Sequence, residues 1–337
     1  MTVLYVASDQ EGAGKTALCA ALAQIMKRKG NKVAIFKPVA SAGQNANPDL
    51  DTETYRKLLD QTSEDQPLHL SSAGLTPELL EQAKTAFDRV SDGADVVVVE
   101  GSSGLSASDA KTLVEALDAK VVIVSRYDRD LSAFQMKPWQ AVFGKRIVGY
   151  VINGLTRYAG TEANDKLPPA MESEGLRLLG IIPEDRRLLG VTVNTIMEHL
   201  EGRLISSDGD VESLVEHFMV LGLTMDPGEL YFGLRENKAV IVRGDRPDIQ
   251  MAALATPTSC LVCTRGVEPI EYVRYEAEQE EVPLIVVESD TLATMDVMNG
   301  LLDRARFDHP RKLTRFTELL EQHIDLPAIF QSLGLES

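Results

Sequence analysis

The sequence is short of cysteine, of aromatic residues and of positive charge, and each shortage removes a class of function. Its three cysteines, Cys19, Cys260 and Cys263, are too few and too scattered for a disulfide framework. A reducing cytoplasm is therefore the expected location. Thirty-four Lys and Arg against 51 Asp and Glu leave a formal net charge of -17, which argues against duplex nucleic acid or an anionic membrane as partner. No apolar run is long enough to span a bilayer, and the stretch Met1–Gln10 lacks the basic leader of a secretory signal. Aromatic residues make up only 5% of the chain, and Trp139 with Phe134 and Phe143 reads as one helix face. Cys260-Leu261-Val262-Cys263 lies inside an apolar run with no second pair, so core packing is expected there rather than redox or zinc chemistry.

What is present describes a two-domain α/β protein of 337 residues, 44% hydrophobic and 25% charged. Val3–Ala7, Val33–Phe36, Val96–Val99, Val121–Val124, Ile147–Ile152 and Leu178–Ile182 are Val- and Ile-rich runs without polar alternation, the pattern of strands covered on both faces. Helical patterns over Thr16–Lys29, Asp51–Leu59, Pro77–Val90 and Ala107–Leu117, with a weaker one near Met171–Leu178, separate most of them. The spacing predicts a doubly wound, mostly parallel sheet over residues 1–187. A second, smaller α/β domain is expected over 188–330, with a tail at 331–337. Its strands are placed at Leu204–Ile205, Leu230–Phe232, Ala239–Val242, Cys260–Cys263 and Leu284–Val287. Its helices are placed at Val193–Leu200, Ile249–Leu254, Pro269–Gln279 and Met295–Arg304, with a closing helix at Thr314–Leu333.

The first strand runs into Ser8-Asp9-Gln10-Glu11-Gly12-Ala13-Gly14-Lys15-Thr16, which opens the first helix, the context of a P-loop. Gly12 and Gly14 let backbone N–H groups of Gly12, Ala13 and Gly14 point at phosphate oxygens. Lys15 reaches the terminal phosphates, the Thr16 hydroxyl ligates Mg2+, and the helix N-terminus adds its dipole. The ligand expected is a nucleoside triphosphate, ATP with Mg2+. The standard loop has glycine where Asp9 stands.

Glu100 ends the buried run Val96–Val99 and so stands at a strand's carboxyl end, beside the crevice where open α/β sheets bind ligands. It is a candidate Mg2+ ligand. Lys37 ends the second strand at the same edge, either as a surface lysine or as a holder of an anionic substrate or transferring phosphoryl group. Asp51 either caps the next helix or supplies a second acid at the metal.

Together these residues resemble the dethiobiotin synthetase family, which forms a ring urea from a diamine, CO2 and ATP. The likeness rests on Gly14-Lys15-Thr16, Lys37-Pro38-Val39-Ala40-Ser41 and Val99-Glu100-Gly101, and covers residues 1–187. It implies Thr16, Asp51 and Glu100 at Mg2+, and Lys15 and Lys37 as catalytic contacts to phosphates and carbamate. It further implies Asn153 at the adenine and Pro183 and Glu184 at the nucleotide edge. The family's glutamate before Gly-Lys-Thr is displaced to Glu11 here, and Ser102-Ser103-Gly104 replaces a more glycine-rich stretch.

The second half is similar to the DRTGG domain through Val242-Arg243-Gly244-Asp245-Arg246-Pro247-Asp248 and Cys263-Thr264-Arg265-Gly266. In long phosphotransacetylases a dethiobiotin-synthetase-like domain precedes a DRTGG domain in this order. The resemblance implies a regulatory region; no acetyltransferase segment follows by Ser337, so acetyl transfer itself is not expected. Asp245 and Arg246 either stabilise their turn or bind a small anionic metabolite, with Lys37 a second place for one. Asp248 is a candidate cap of the helix that follows. The leading expectation is a regulatory or sensory ATP-binding protein, a homodimer, with slow or no hydrolysis. The alternatives are an ATP-dependent ligase acting on a small amine or carboxylate, and a scaffold with a structural P-loop.

Overall fold

The computed structural model describes residues 1–40, 49–59, 66–70, 74–205, 210–221, 228–302 and 305–336. Ser41 of the Lys-Pro-Val-Ala-Ser segment, most of the polar loop after it and Arg304 lie outside them, as does Ser337. The chain divides into two compact units, Met1–Asp185 with Phe307–Ser337, and Arg186–Arg306.

In the first unit, strands and helices alternate as β1 (Thr2–Ser8), α1 (Lys15–Arg28), β2 (Val33–Phe36), α2 (Leu50–Leu59), α3 (Pro77–Ser91) and β3 (Val96–Glu100). They continue as α4 (Ala107–Ala116), β4 (Lys120–Arg126), α5 (Ala133–Phe143), β5 (Ile147–Leu155), α6 (Gly160–Ser173) and β6 (Leu178–Pro183). The six strands form one sheet in the order β2-β3-β1-β4-β5-β6, with every pair parallel. Right-handed crossovers on both sides of β1 put α1 on one face and α3 to α6 on the other. Val3, Tyr5 and Ala7 of β1 join the core under α3, α4 and α5, and Leu4 and Val6, fully buried, point to the opposite face. The doubly wound parallel architecture expected from the apolar runs is the one found.

The expected helix near Met171–Leu178 is instead α6, which starts at Gly160. Pro168 and Pro169 sit inside it, and prolines of that kind mask a helical pattern. Ala163, Leu167 and Met171, at intervals of four, form its buried face. A further helix, α5, carries Trp139 stacked on Phe143, with ring centroids 5.6 Å apart.

In the second unit, β7 (Val191–Thr192), α7 (Val193–His199), β8 (Arg203–Leu204), β9 (Leu214–Val215), β10 (His217–Val220), α8 (Gly228–Phe232) and β11 (Lys238–Arg243) come first. Next come α9 (Pro247–Leu254), β12 (Thr258–Thr264), α10 (Glu271–Gln279), β13 (Leu284–Val286) and α11 (Thr291–Met298). The main sheet is β10-β11-β12-β13-β8, parallel except for the antiparallel edge strand β8, and β7 pairs with β9. Leu230–Phe232, expected as a strand, belongs to the short helix α8; only Phe232 of the three is fully buried. A three-residue apolar run does not distinguish the two periods. Cys260 faces one core of this unit and Cys263 the other, on opposite sides of β12. Both are buried free thiols, which excludes their acting as a pair.

The closing segment corrects the expected domain limits. Residues 307–330 were placed with the second domain, yet they pack with the first unit. The single expected helix is two, α12 (Pro310–His323) and α13 (Leu326–Ser332), parted at Ile324 and Asp325. Leu313, Phe316, Leu319 and Leu320 make α12 amphipathic, and the partner for that stripe is α1 and β6. Thr317 Oγ1 donates to Gln24 at 2.7 Å, Arg315 pairs with Asp185 at 2.6 Å, and the Lys29 ammonium lies 5.2 Å from the Phe330 ring centre. A helix in place of the expected tail also takes up residues 331 and 332.

Two outcomes follow from this packing. Leu320→Ala removes a fully buried side chain from α12 and is expected to cost the first unit about 2–5 kcal/mol, read by urea denaturation. Lys238 is fully buried at the head of β11, where Nζ donates to Thr256 Oγ1 and the Pro257 carbonyl at 3.0 and 2.7 Å. Burial lowers its ammonium from 10.5 to about 8, with Glu236 opposing. The folded protein gives up this proton first, so stability is lowest below that pH and rises as pH climbs from about 8 towards 10.5. Thermal denaturation across that range is expected to show the rise, and Lys238→Met to flatten it.

Candidate functional site

The first unit's crevice lies at the carboxyl ends of β1, β2 and β3. The parallel register sets Val6 of β1 opposite Glu100 of β3, so the loop leaving β1 passes the side chain that ends its neighbour. Gly14 starts α1 in the left-handed region at φ 98°. A Cβ added there would stand 2.4 Å from Nδ2 of Asn153, so both backbone and neighbour require glycine. Gly12 also has positive φ, at 72°, and Ala13 is buried. Asn153, near the end of β5, donates through Nδ2 to the Ala13 carbonyl at 2.9 Å. The structure thus ties Asn153 to the loop's backbone. Lys15 is buried, and its Nζ donates to Ser8 Oγ at 2.8 Å, lying back across the loop.

Three oxygen-bearing side chains meet at the first turn of α1. Thr16 Oγ1 is 2.8 Å from Glu100 Oε1 and 3.0 Å from Asp51 Oδ1. One hydroxyl hydrogen cannot serve both acids at once. Glu100 is 2% exposed, and its other oxygen accepts the Tyr55 hydroxyl. Burial first, and then the Asp51 charge, push the Glu100 carboxyl up to about 7 against the opposing pull of Lys37, Tyr55 and Lys15.

Lys37, at the end of β2 and 6% exposed, is held by acids. Its Nζ donates to both oxygens of Asp49, at 2.9 and 3.1 Å, and to Asp51 Oδ2 at 2.5 Å. Burial works against its charge, but Glu100, Asp51 and Asp49 together outweigh burial and hold the ammonium above its usual value. Asp49 Oδ1 also accepts from the backbone N–H of Asp51 and Thr52, at 3.1 and 3.0 Å. Asp49 therefore caps α2, and Asp51 is left to face Thr16 and Lys37.

Ser102 Oγ donates to the Ala40 carbonyl at 2.9 Å and joins the segments that follow β2 and β3. Pro183 ends β6 at the same edge, and exposed Glu184 donates its N–H to the Leu155 carbonyl at 2.9 Å. A cavity of about 310 Å3 lies beside the loop, lined by Tyr5, Ser8, Asp9, Glu11, Ser102 and Trp139 among others. Trp139 therefore both packs along α5 and borders this space. Ser8, Asp49 and Tyr55 are the residues that sequence reasoning missed. Tyr55 lies four residues after Asp51 and so shares its helix face, a usable signal; Asp49 and Ser8 carried none.

In the second unit, Arg243 pairs with Asp245 and Arg246 with Asp248, each within its own exposed turn. Gln250 Nε2 fastens that turn through the Arg243 and Gly244 carbonyls at 2.9 and 3.1 Å. Asp245 and Arg246 thus each take part in an ion pair within the turn. Asp248 sits in the first turn of α9, and Arg246 takes the cap position. Arg265 has φ 72°, left-handed, a conformation that costs an ordinary residue about 1–2 kcal/mol.

A glycine loop between the first strand and first helix, a Lys-Thr pair at its end and an acid on the adjacent parallel strand define a P-loop nucleotide-binding domain. The chain belongs to the AAA domain family, whose model matches residues 2–192, and a DRTGG domain model matches 195–301. This is the domain order the two resemblances imply. The phosphate acetyltransferase of Nitratidesulfovibrio vulgaris is 23% identical over 96% of this chain and 50% of its own. The ATP-dependent dethiobiotin synthetase of Bacillus licheniformis is 25% identical over 55% of this chain and 86% of its own. Among solved structures, the MinC:MinD cell division protein complex of Aquifex aeolicus covers 56% of this chain and 84% of its own at 17% identity, with a TM-score of 0.40. The chain spans about half the length of the phosphate acetyltransferases it matches.

The loop geometry yields its own test. Gly14→Ala is expected to cost more than about 1 kcal/mol in chemical denaturation. Adding Asn153→Ala removes the clash and leaves the backbone strain, so the double variant is expected to recover only part of the loss.

Proposed function

We propose that the first unit binds ATP with Mg2+ and that the protein is regulatory or sensory, turning ATP over slowly or not at all. The observation that carries this reading is the meeting of Lys15, Thr16, Asp51, Glu100 and Lys37 at one carboxyl edge. Gly12, Ala13 and Gly14 would cradle the phosphates with their N–H groups, and Lys15 and Lys37 would neutralise the terminal ones. Asn153, Pro183 and Glu184 are assigned to the adenine side, with Asn153 turning from the Ala13 carbonyl or contacting the base through its free oxygen.

The donor set fits a hard cation. Thr16, Asp51 and Glu100 offer only oxygen, the donor a small hard cation takes. Among the described residues no group of three or more His, Cys, Asp or Glu is arranged to hold a metal. Mg2+ here would therefore complete its shell with phosphate oxygens and water, as small, strongly hydrated Mg2+ does. Bound there, it would supply positive charge to the phosphates.

Slow turnover is supported by one feature: Lys37 is engaged by Asp49 and Asp51. The second unit, matched by the DRTGG domain model, would report on nucleotide state or assemble a homodimer. Among the described residues no helix is long and apolar enough to cross a membrane, and we assign the protein to the cytoplasm. The second reading is ligase chemistry of the dethiobiotin synthetase type. The cavity bordered by Ser8, Ser102 and Trp139 favours it by offering space beside the loop.

Lys15→Ala is expected to weaken Mg-ATP binding about a hundredfold in calorimetry; unchanged affinity would refute the reading. ADP release from ATP and bicarbonate that appears only when a diamine is added would replace the regulatory reading with the ligase one.

A further inference from the structure

We infer that Asp49 is a positioning residue that withholds Lys37 from the terminal phosphate, so that nucleotide binding at this site competes with an internal ion pair. The inference rests on the reading of the crevice as a Mg-ATP site and concerns a residue which that reading does not use.

Asp49 has two tasks. Oδ1 accepts from the Asp51 and Thr52 backbone N–H groups at 3.1 and 3.0 Å and from Thr52 Oγ1 at 3.1 Å. Lys37 Nζ donates to Oδ2 at 2.9 Å and to the same Oδ1 at 3.1 Å. The Asp49 backbone is fixed in turn, its N–H donating to Gln66 Oε1 at 3.0 Å. The carboxylate is therefore anchored to the start of α2 through Oδ1 while both of its oxygens hold Lys37. Both partners are nearly sealed from water, with side chains 2% and 4% exposed. Water hardly screens the pair, and separating it strands a buried carboxylate.

Asp51 also binds Lys37, but it has a second engagement at Thr16. A cation bound between Thr16, Asp51 and Glu100 would draw Asp51 towards itself. Among the described residues Asp49 has no such alternative partner in the crevice; beyond Lys37 its carboxylate contacts the helix N-terminus and Thr52. The terminal phosphate must therefore take Lys37 from Asp49. A nucleoside diphosphate, which lacks that phosphate, has less to gain from the exchange. The pair thus lowers affinity for the triphosphate more than for the diphosphate.

Asp49→Asn separates the two tasks. An asparagine Oδ1 still caps α2, and its Nδ2 turns a donor towards the Lys37 ammonium, so the attraction becomes repulsion and Lys37 is released. Asp49→Ser is the second route: serine caps equally well and is too short to hold Lys37. The measurement is the ratio of Mg-ADP to Mg-ATP dissociation constants for the full chain. Each variant is expected to raise that ratio about tenfold, by tightening ATP alone. In a Lys37→Met background the gain is expected to vanish. A ratio unchanged in folded Asp49→Asn and Asp49→Ser overturns the inference, as does a gain that persists without Lys37. A cap defect would weaken both nucleotides alike and leave the ratio where it was, which also counts against it. Unmodified protein that fails to bind Mg-ATP overturns the underlying reading, and this inference with it; Lys15→Ala identifies that case separately.

Discussion

The parallel register between β1 and β3 is the constraint on which the crevice depends. Because Val6 lies opposite Glu100, the acid that ends β3 reaches the first turn of α1 as the loop from β1 closes. Slip that register by one residue and Glu100 turns to the other face of the sheet, away from Thr16. The apolar runs therefore do more than fill a core. Val96, Val97, Val98 and Val99 are all fully buried, and a strand sealed on both faces allows little freedom in register. The accuracy of the polar site is inherited from the hydrophobic packing beneath it.

Charge is distributed in opposite ways in the two units. The first concentrates buried Lys15, Lys37, Asp49 and Glu100 at one edge, where water is scarce and each charge depends on the others. The second keeps its equivalent turn ion-paired and exposed, with Arg243 and Arg246 matched to Asp245 and Asp248. Exposed pairs of that kind contribute little to stability. A net charge of -17 hides this contrast, since the first unit's crevice interleaves lysines with acids.

The parts of the fold legible in the sequence were those written in uninterrupted patterns. Six Val- and Ile-rich runs became the six parallel strands, and the glycine loop and Glu100 followed from their places at strand ends. What escaped was information held in tertiary contacts. Pro168 and Pro169 hid α6, whose helix is held by its packed face. Leu230–Phe232 was too short to show a period. Asp49 stood two residues from Asp51 with the same chemistry, and nothing local marks which acid caps a helix and which faces a crevice. The amphipathic stripe of α12 was readable, but its partner was not, because a stripe does not name the surface it will cover.

The return of α12 to the first unit makes the second unit an insert, entered at Arg186 and left at Arg306. Synthesis proceeds from the amino end, so the insert has all its strands and helices before α12 exists. Domains tend to fold as units while the chain emerges. The second unit can then reach its native state while the first still exposes the side of α1 that α12 later covers. Synthesis interrupted before α12 would leave a complete insert attached to a P-loop domain whose α1 is uncovered.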